Sequence, residues 1–184
     1  MFKFHISKFF RYINGEIHEP LRPSGKPIWI WGAGNVRRAL VHVLQTLPQF
    51  DVTWIDFDQS RFPPDTDPST TVIPATDMPM LVLHAPTDAH HFILTHSHDV
   101  DLALCHALLK HDFEYTGLIG SDTKCSQFRK RLTDAGLEMS DIERITCPIG
   151  RPEYGKHPSK IAIGILCNLL SDEQANTYGD RVAK

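Results

Sequence analysis

The stretch Ile28-Trp29-Ile30-Trp31-Gly32-Ala33-Gly34-Asn35-Val36-Arg37 decides the fold. Four β-branched or aromatic residues make a short strand that stops at two glycines. Beyond them Val36, Leu40, Val43, Leu44 and Leu47 recur at helical spacing, and Val52-Thr53-Trp54-Ile55-Asp56 reads as a second strand. Strand, glycine turn, helix, strand is a βαβ unit with parallel strands.

The same alternation continues downstream. Residues 58–79 are rich in Pro, Asp and Thr and read as loop. Leu81–His84 reads as a third strand and His91–His96 as a fourth, followed by a helix from Asp99 to Leu109. Tyr115–Gly120 is a fifth strand, ending again at glycine. Ser121 caps a helix running to Asp134, and Gly136 terminates it. A last helix spans Pro158–Leu170. The expectation is an α/β fold: a doubly wound, mostly parallel, Rossmann-like sheet over residues 26–184. Upstream, Phe2, Ile6, Phe9, Phe10, Ile13 and Ile17 stand at helical spacing. Residues 1–25 are therefore expected as a short N-terminal helical arm and linker. The arm would pack its apolar stripe on the main domain or on a second copy in a homodimer. Glu19–Pro27, with three prolines and a glycine, is the expected linker.

The chain has 184 residues, 41% of them hydrophobic and 22% charged, as soluble globular proteins do. A net charge of −3 argues against bulk electrostatic binding to nucleic acid. No run of apolar residues suffices for a membrane span, and the N-terminus lacks the apolar core of a signal peptide, so a cytoplasmic location is expected. None of Cys105, Cys125, Cys147 and Cys167 forms a CxxC pair, which disfavours a zinc ribbon and a thioredoxin-type site. Cys147 alone adjoins a glycine turn, as either a reactive thiol or an inert buried cysteine. The 11 histidines raise the question of a metal.

Four constellations carry chemistry. Gly32, Gly34 and Asn35 open a helix, and Asp56 ends the next strand, where a dinucleotide's ribose would be accepted. The third glycine of GxGxxG is replaced by Arg37, so NAD(P) binding is the alternative reading and not the leading one. In the second, Thr95-His96-Ser97-His98, the imidazoles stand at a strand end, where α/β sheets bind ligands. Two-metal hydrolases carry HxHxDH there; Val100 and Asp101 occupy the last two places here, so a metal-dependent hydrolase is a third reading and no metal ligands are assigned. Gly120, Ser121 and Lys124 form a strand-end glycine with a hydroxyl and a lysine in the following turn, a candidate anion site. Gly150 and Lys156 precede the last helix in the same manner.

The order GAGNV, VTWID, Arg61-Phe62-Pro63, THSHxxD, GLIGSxTK, FxxRL, CPIG and GKxPxxIA resembles the Rossmann domain of the xanthine dehydrogenase accessory proteins, the XdhC/CoxI family, over residues 28–170. The resemblance implies a protein that binds the molybdenum cofactor (molybdopterin with its metal). It implies that the protein promotes sulfuration of that cofactor with a cysteine desulfurase, and delivers it to xanthine dehydrogenase or a related molybdenum hydroxylase. Such a protein is a cofactor chaperone more than an enzyme, and no acid–base pair in the sequence argues otherwise. On this reading Gly32, Gly34, Asn35, Asp56, Thr95, His96, His98, Gly120, Ser121, Lys124, Gly150 and Lys156 line one cofactor crevice. Longer members carry a separate N-terminal domain. Here only residues 1–25 precede the sheet, so another chain is expected to supply that part, or the chain is a reduced paralogue. Asp58 stands two residues after Asp56, where the family carries an arginine or another polar group; a second acid there repels phosphate and weakens NADP further.

Overall fold

A computed structural model describes residues 11–13, 16–18 and 25–182. Its body is a six-stranded, wholly parallel sheet with helices on both faces. Strands β1 (Arg11–Ile13) and β2 (Glu16–His18) form a separate antiparallel pair. The main sheet contains β3 (Lys26–Trp31), β4 (Phe50–Asp56), β5 (Thr71–Pro74), β6 (His90–Ile93), β7 (Tyr115–Leu118) and β8 (Ile145–Thr146). Their spatial order is β5-β4-β3-β6-β7-β8. The chain thus builds outward from β3 in one direction, then returns to its other side, and ligands bind at such a switch point.

Helices α1 (Asn35–Leu44), α2 (Met78–Leu81), α3 (His98–Leu108), α4 (Asp122–Asp134), α5 (Met139–Ile142) and α6 (Pro158–Val182) connect or follow the strands. The apolar run of β3 is continuous because both of its faces are covered. Ile28 and Ile30 join one core with Leu40, Leu44, Trp54 and, from α6, Ile165 and Leu169. Trp29 and Trp31 join the other with Ile93, Leu104, Leu108, Leu118 and Phe128. Pro27 sits in the opening residues of β3, paired with β4 and before the residues that pair with β6, where a strand tolerates a missing N–H.

Several expectations require correction. Leu81–His84 is no strand: α2 and a 3-10 turn over Val82–His84 occupy it. Asp77 caps α2 by accepting from the Met80 N–H, and Pro79 sits in its first turn. Three apolar residues and a histidine read equally as strand or buried helix, and these start signals decide it. The missing strand is β5, inside the expected loop, with Pro74 at its end on the sheet edge. The fourth strand spans His90–Ile93 and the fifth ends at Leu118; the residues beyond turn into the helix starts. The expected linker gives Lys26 and Pro27 to β3. Where the helical arm was expected, residues 11–13 and 16–18 are paired strands, with Ile13 opposite Glu16. Asn14-Gly15 between them is the strongest short hairpin signal, and it outweighs the helical spacing. The rest of the arm lies outside the described residues.

His91 lies wholly within the second core, stacked on Trp31 and accepting at Nδ1 from Trp31 Nε1 at 3.3 Å. Burial pushes its imidazole down to about 3, and the charges of His111 and His90 add to the effect. The unfolded chain takes up this proton below about pH 6.5, the folded chain only near the lowered value, so stability is whole above 6.5 and lost as the pH falls. The loss is about 1.4 kcal/mol per pH unit. Urea midpoints measured between pH 7.5 and 5 should therefore fall more steeply for the native chain than for His91→Gln, which keeps an acceptor but does not titrate. Equal slopes would show that His91 is not buried neutral.

Candidate functional site

The carboxyl ends of β3, β4, β6 and β7 open on one edge of the sheet. The glycine turn after β3 is gripped from β4. Gly32 N–H donates to Ile55 O at 2.6 Å, Trp54 Nε1 donates to Gly32 O at 2.7 Å, and Ala33 N–H donates to Asp56 Oδ2 at 2.6 Å. Asp56 is 1% exposed; its other oxygen accepts from the Phe57 N–H at 2.8 Å and meets Arg61 Nε at 3.2 Å. The VTWID run thus acts as a clamp that sets the turn. Asp58 is exposed and caps a short turn by accepting from Ser60 N–H, which holds its carboxyl below the usual range.

Arg37 lies back across this turn. A Cβ on Gly34 would collide with the Arg37 guanidinium, and one on Gly32 (φ +106°) would meet Arg37 Cδ at 3.0 Å. Gly32 is required by its positive φ and by the Leu94 carbonyl, 3.0 Å from where a Cβ would stand; at Gly34 a Cβ would displace the end of the arginine that fills the space over the turn. The Arg37 Nε is buried and finds no hydrogen-bond partner among the described residues. Burial lowers the Arg37 guanidinium below its ordinary value; Asp56 and Asp101 pull it back up and Arg61 pushes it down. The N-cap of α1 is Gly34, without a side-chain cap and without an acid in the first turn. The helix start therefore keeps its N–H groups and positive dipole end for an anion.

The other two helix starts at this edge are closed. Ser97 caps α3 and Ser121 caps α4, each accepting from the N–H three residues on. Lys124 is no free cation. Its Nζ donates to Asp101 Oδ2 at 2.6 Å and to Ile119 O at 2.8 Å, and the pair is almost wholly buried. Its stem runs across Gly120, where a Cβ would meet Lys124 Cδ at 2.9 Å. Asp101 Oδ1 accepts from Thr95 Oγ1 at 2.6 Å and Thr95 N–H at 3.2 Å. Thr95, Asp101 and Lys124 thus form a strut under the crevice, with Gly120 beneath the lysine stem, while Ser121 caps α4 from an exposed position.

His96 and His98 are exposed at this edge. His96 lies beside Phe57 at 5.8 Å between ring centres, with its Nδ1 3.5 Å from Arg61 Nη2. His98 stands edge-on to Phe128. Asn35 is exposed at the start of α1. Gly150, at φ +92°, turns the chain after β8 and lies against Ile161 and Ile165 of α6. Lys156 is exposed in the turn before α6. Among the described residues no three His, Cys, Asp or Glu side chains converge as a metal site would require. A groove of about 510 Å³ lies elsewhere, between α1, α6 and the 63–66 loop; none of the twelve expected site residues lines it.

Sequence reasoning missed two features. Arg61 and Phe57 supply a charge and an aromatic face beside His96, and Arg37 lies over the glycine turn; the signal for Arg37 is its place in the fingerprint, where it reads as a defect. Cys125 and Cys147, 22 residues apart, are joined as a disulfide. No local spacing rule finds such a pair, because the sheet brings it together.

The XdhC Rossmann domain, as a sequence family, matches residues 28–169. The chain is 27% identical over 140 residues to YqeB, an uncharacterised protein of Escherichia coli K12, covering 76% of this chain and 26% of that one. The crystal structure of a Bacillus halodurans protein described as a xanthine dehydrogenase superposes with a TM-score of 0.68 at 21% identity, over 90% of this chain and 48% of that one. The chain therefore spans about a quarter of the length of the curated relative and half of the solved one. The structural likeness is one of fold.

The buried strut gives a stability prediction. Lys124→Met should lower the unfolding free energy by about 3–5 kcal/mol, because Asp101 is left buried and unpaired. The double variant Asp101→Asn/Lys124→Met should regain most of the loss. Urea unfolding measures both, and an unchanged Lys124→Met midpoint would show that the lysine is free to serve a ligand.

Proposed function

The chain belongs to the XdhC Rossmann-domain family, and from that premise we propose that it is an accessory protein to xanthine dehydrogenase or a related molybdenum hydroxylase. In this reading it binds the molybdenum cofactor, assists sulfuration of that cofactor with a cysteine desulfurase, and hands it to the client. The single observation that carries the reading is the uncapped start of α1 with Arg37 laid over its glycines and Arg37 Nε left without a partner. A phosphate-bearing pterin fits that donor set. The helix start and Arg37 would hold the phosphate, while Phe57, Arg61 and His96 offer an aromatic face and polar groups beside it. When bound, the cofactor supplies the molybdenum redox chemistry of the client; this chain's residues bind and orient it.

The NAD(P) reading gains no comparable support. A dinucleotide needs a free carboxylate at Asp56 for the ribose and an open glycine turn for the pyrophosphate. Asp56 is engaged with Ala33, Phe57 and Arg61, and Arg37 covers the turn.

Equilibrium binding of purified molybdenum cofactor tests the proposal. Arg37→Gln should weaken binding about tenfold or more, the effect of losing one charge-assisted hydrogen bond. Lys130→Gln, which removes an exposed cation paired with Asp134, should leave it unchanged. Equal affinities for native chain and Arg37→Gln would move the anion elsewhere.

A further inference from the structure

The second chemistry-bearing feature at this edge is the cysteine pair. Cys147 directly follows β8 at the carboxyl end of the sheet. Cys125 lies one turn into α4, where its N–H makes the helix's bond to Ser121 O. Their Cα atoms are 5.7 Å apart, a separation that bridges without backbone movement. The two sulfurs differ in access: Cys125 is 2% exposed, while Cys147 is half-buried. The remaining thiols are placed differently. Cys105 is buried, and burial, with Asp101 nearby, pushes its thiol up to about 12; Cys167 lies on α6.

We propose that Cys125 and Cys147 form a dithiol site that accepts sulfane sulfur and releases it as sulfide. Cys147 is the accepting thiol and Cys125 the resolving one. In the first step the Cys147 thiolate attacks the terminal sulfur of a hydropersulfide, R–S–SH. A new S–S bond forms on Cys147, the donor's S–S bond breaks, and R–S⁻ leaves, with no net oxidation. In the second, the Cys125 thiol gives its proton to solvent and its thiolate attacks Cys147 Sγ. The Cys125–Cys147 disulfide forms and HS⁻ leaves, so the sulfane sulfur gains the two electrons that the two thiols lose. A dithiol reductant then restores the pair. The disulfide in the structure is the product state of this sequence. The inference deepens the reading above, since sulfide is what sulfuration of the cofactor consumes, yet its chemistry needs no cofactor.

The test uses the full chain, reduced, freed of reductant and mixed with cysteine hydropersulfide. Released sulfide is assayed, and non-reduced peptides are mapped by mass spectrometry. The expected result is one sulfide per chain together with a Cys125–Cys147 cross-link. Cys125→Ser, or Cys125→Ala if the serine weakens the fold, should hold one extra sulfur on Cys147. Its sulfide release should fall to that of a chain lacking both cysteines, whereas replacing Cys105 and Cys167 should change nothing. Native chain that forms no cross-link, a Cys125 variant that releases sulfide as the native chain does, or added sulfur found on Cys105 or Cys167 would overturn the proposal. Because no molybdenum cofactor enters the assay, failure here leaves cofactor binding standing, and failure of cofactor binding leaves this chemistry standing.

Discussion

The buried pair of Asp101 and Lys124 holds the working edge together. It ties the end of β6, through Thr95, to the first turn of α3, and the end of β7, through Ile119 O, to the first turn of α4. Two buried charges are costly unless each is paired and hydrogen-bonded. Here each finds oxygen or nitrogen partners within the strut, so the strand ends and helix starts are locked at one spacing. The crevice inherits its shape from that spacing. The same arrangement engages the Lys124 ammonium and the Thr95 hydroxyl within the protein and leaves the exposed groups above them open to a ligand.

Those groups lie on the other side of the switch point. The turn after β3 is shaped by three consecutive residues of β4, and Arg37 lies over it in place of a third glycine. In a dinucleotide site the helix start would face a pyrophosphate across bare glycine backbone. Here a guanidinium occupies that approach, so the turn presents a positive side chain to the crevice. The fold of a nucleotide site is thus kept while its contact chemistry is changed.

Much of the fold could be read from residue pattern alone. The continuous apolar run of β3, the glycines after it and the amphipathic α1 leave a βαβ unit as the sole economical reading, and Ser121 caps α4 where the sequence places it. The failures are equally physical. Leu81–His84 is apolar in a way that suits either element, and the cap at Asp77 decides it. The site was legible as a set of positions and not as a set of roles. Gly120 and Lys124 were recognised together, yet their spacing serves a lysine stem crossing a glycine to reach a carboxylate 23 residues upstream. Arg37 was visible only as a mismatch, and the Cys125–Cys147 pair depends on a crossover that no local spacing encodes.

The proposed role is carriage of a molybdenum cofactor to a client on the arginine-covered turn. Reconstitution of cofactor-free xanthine dehydrogenase with purified cofactor tests it most directly, run without the chain, with the native full chain and with Arg37→Gln. The account predicts greater recovery of activity with the native chain than without it, and a return toward the unassisted level with Arg37→Gln. Equal recovery in all three would contradict it.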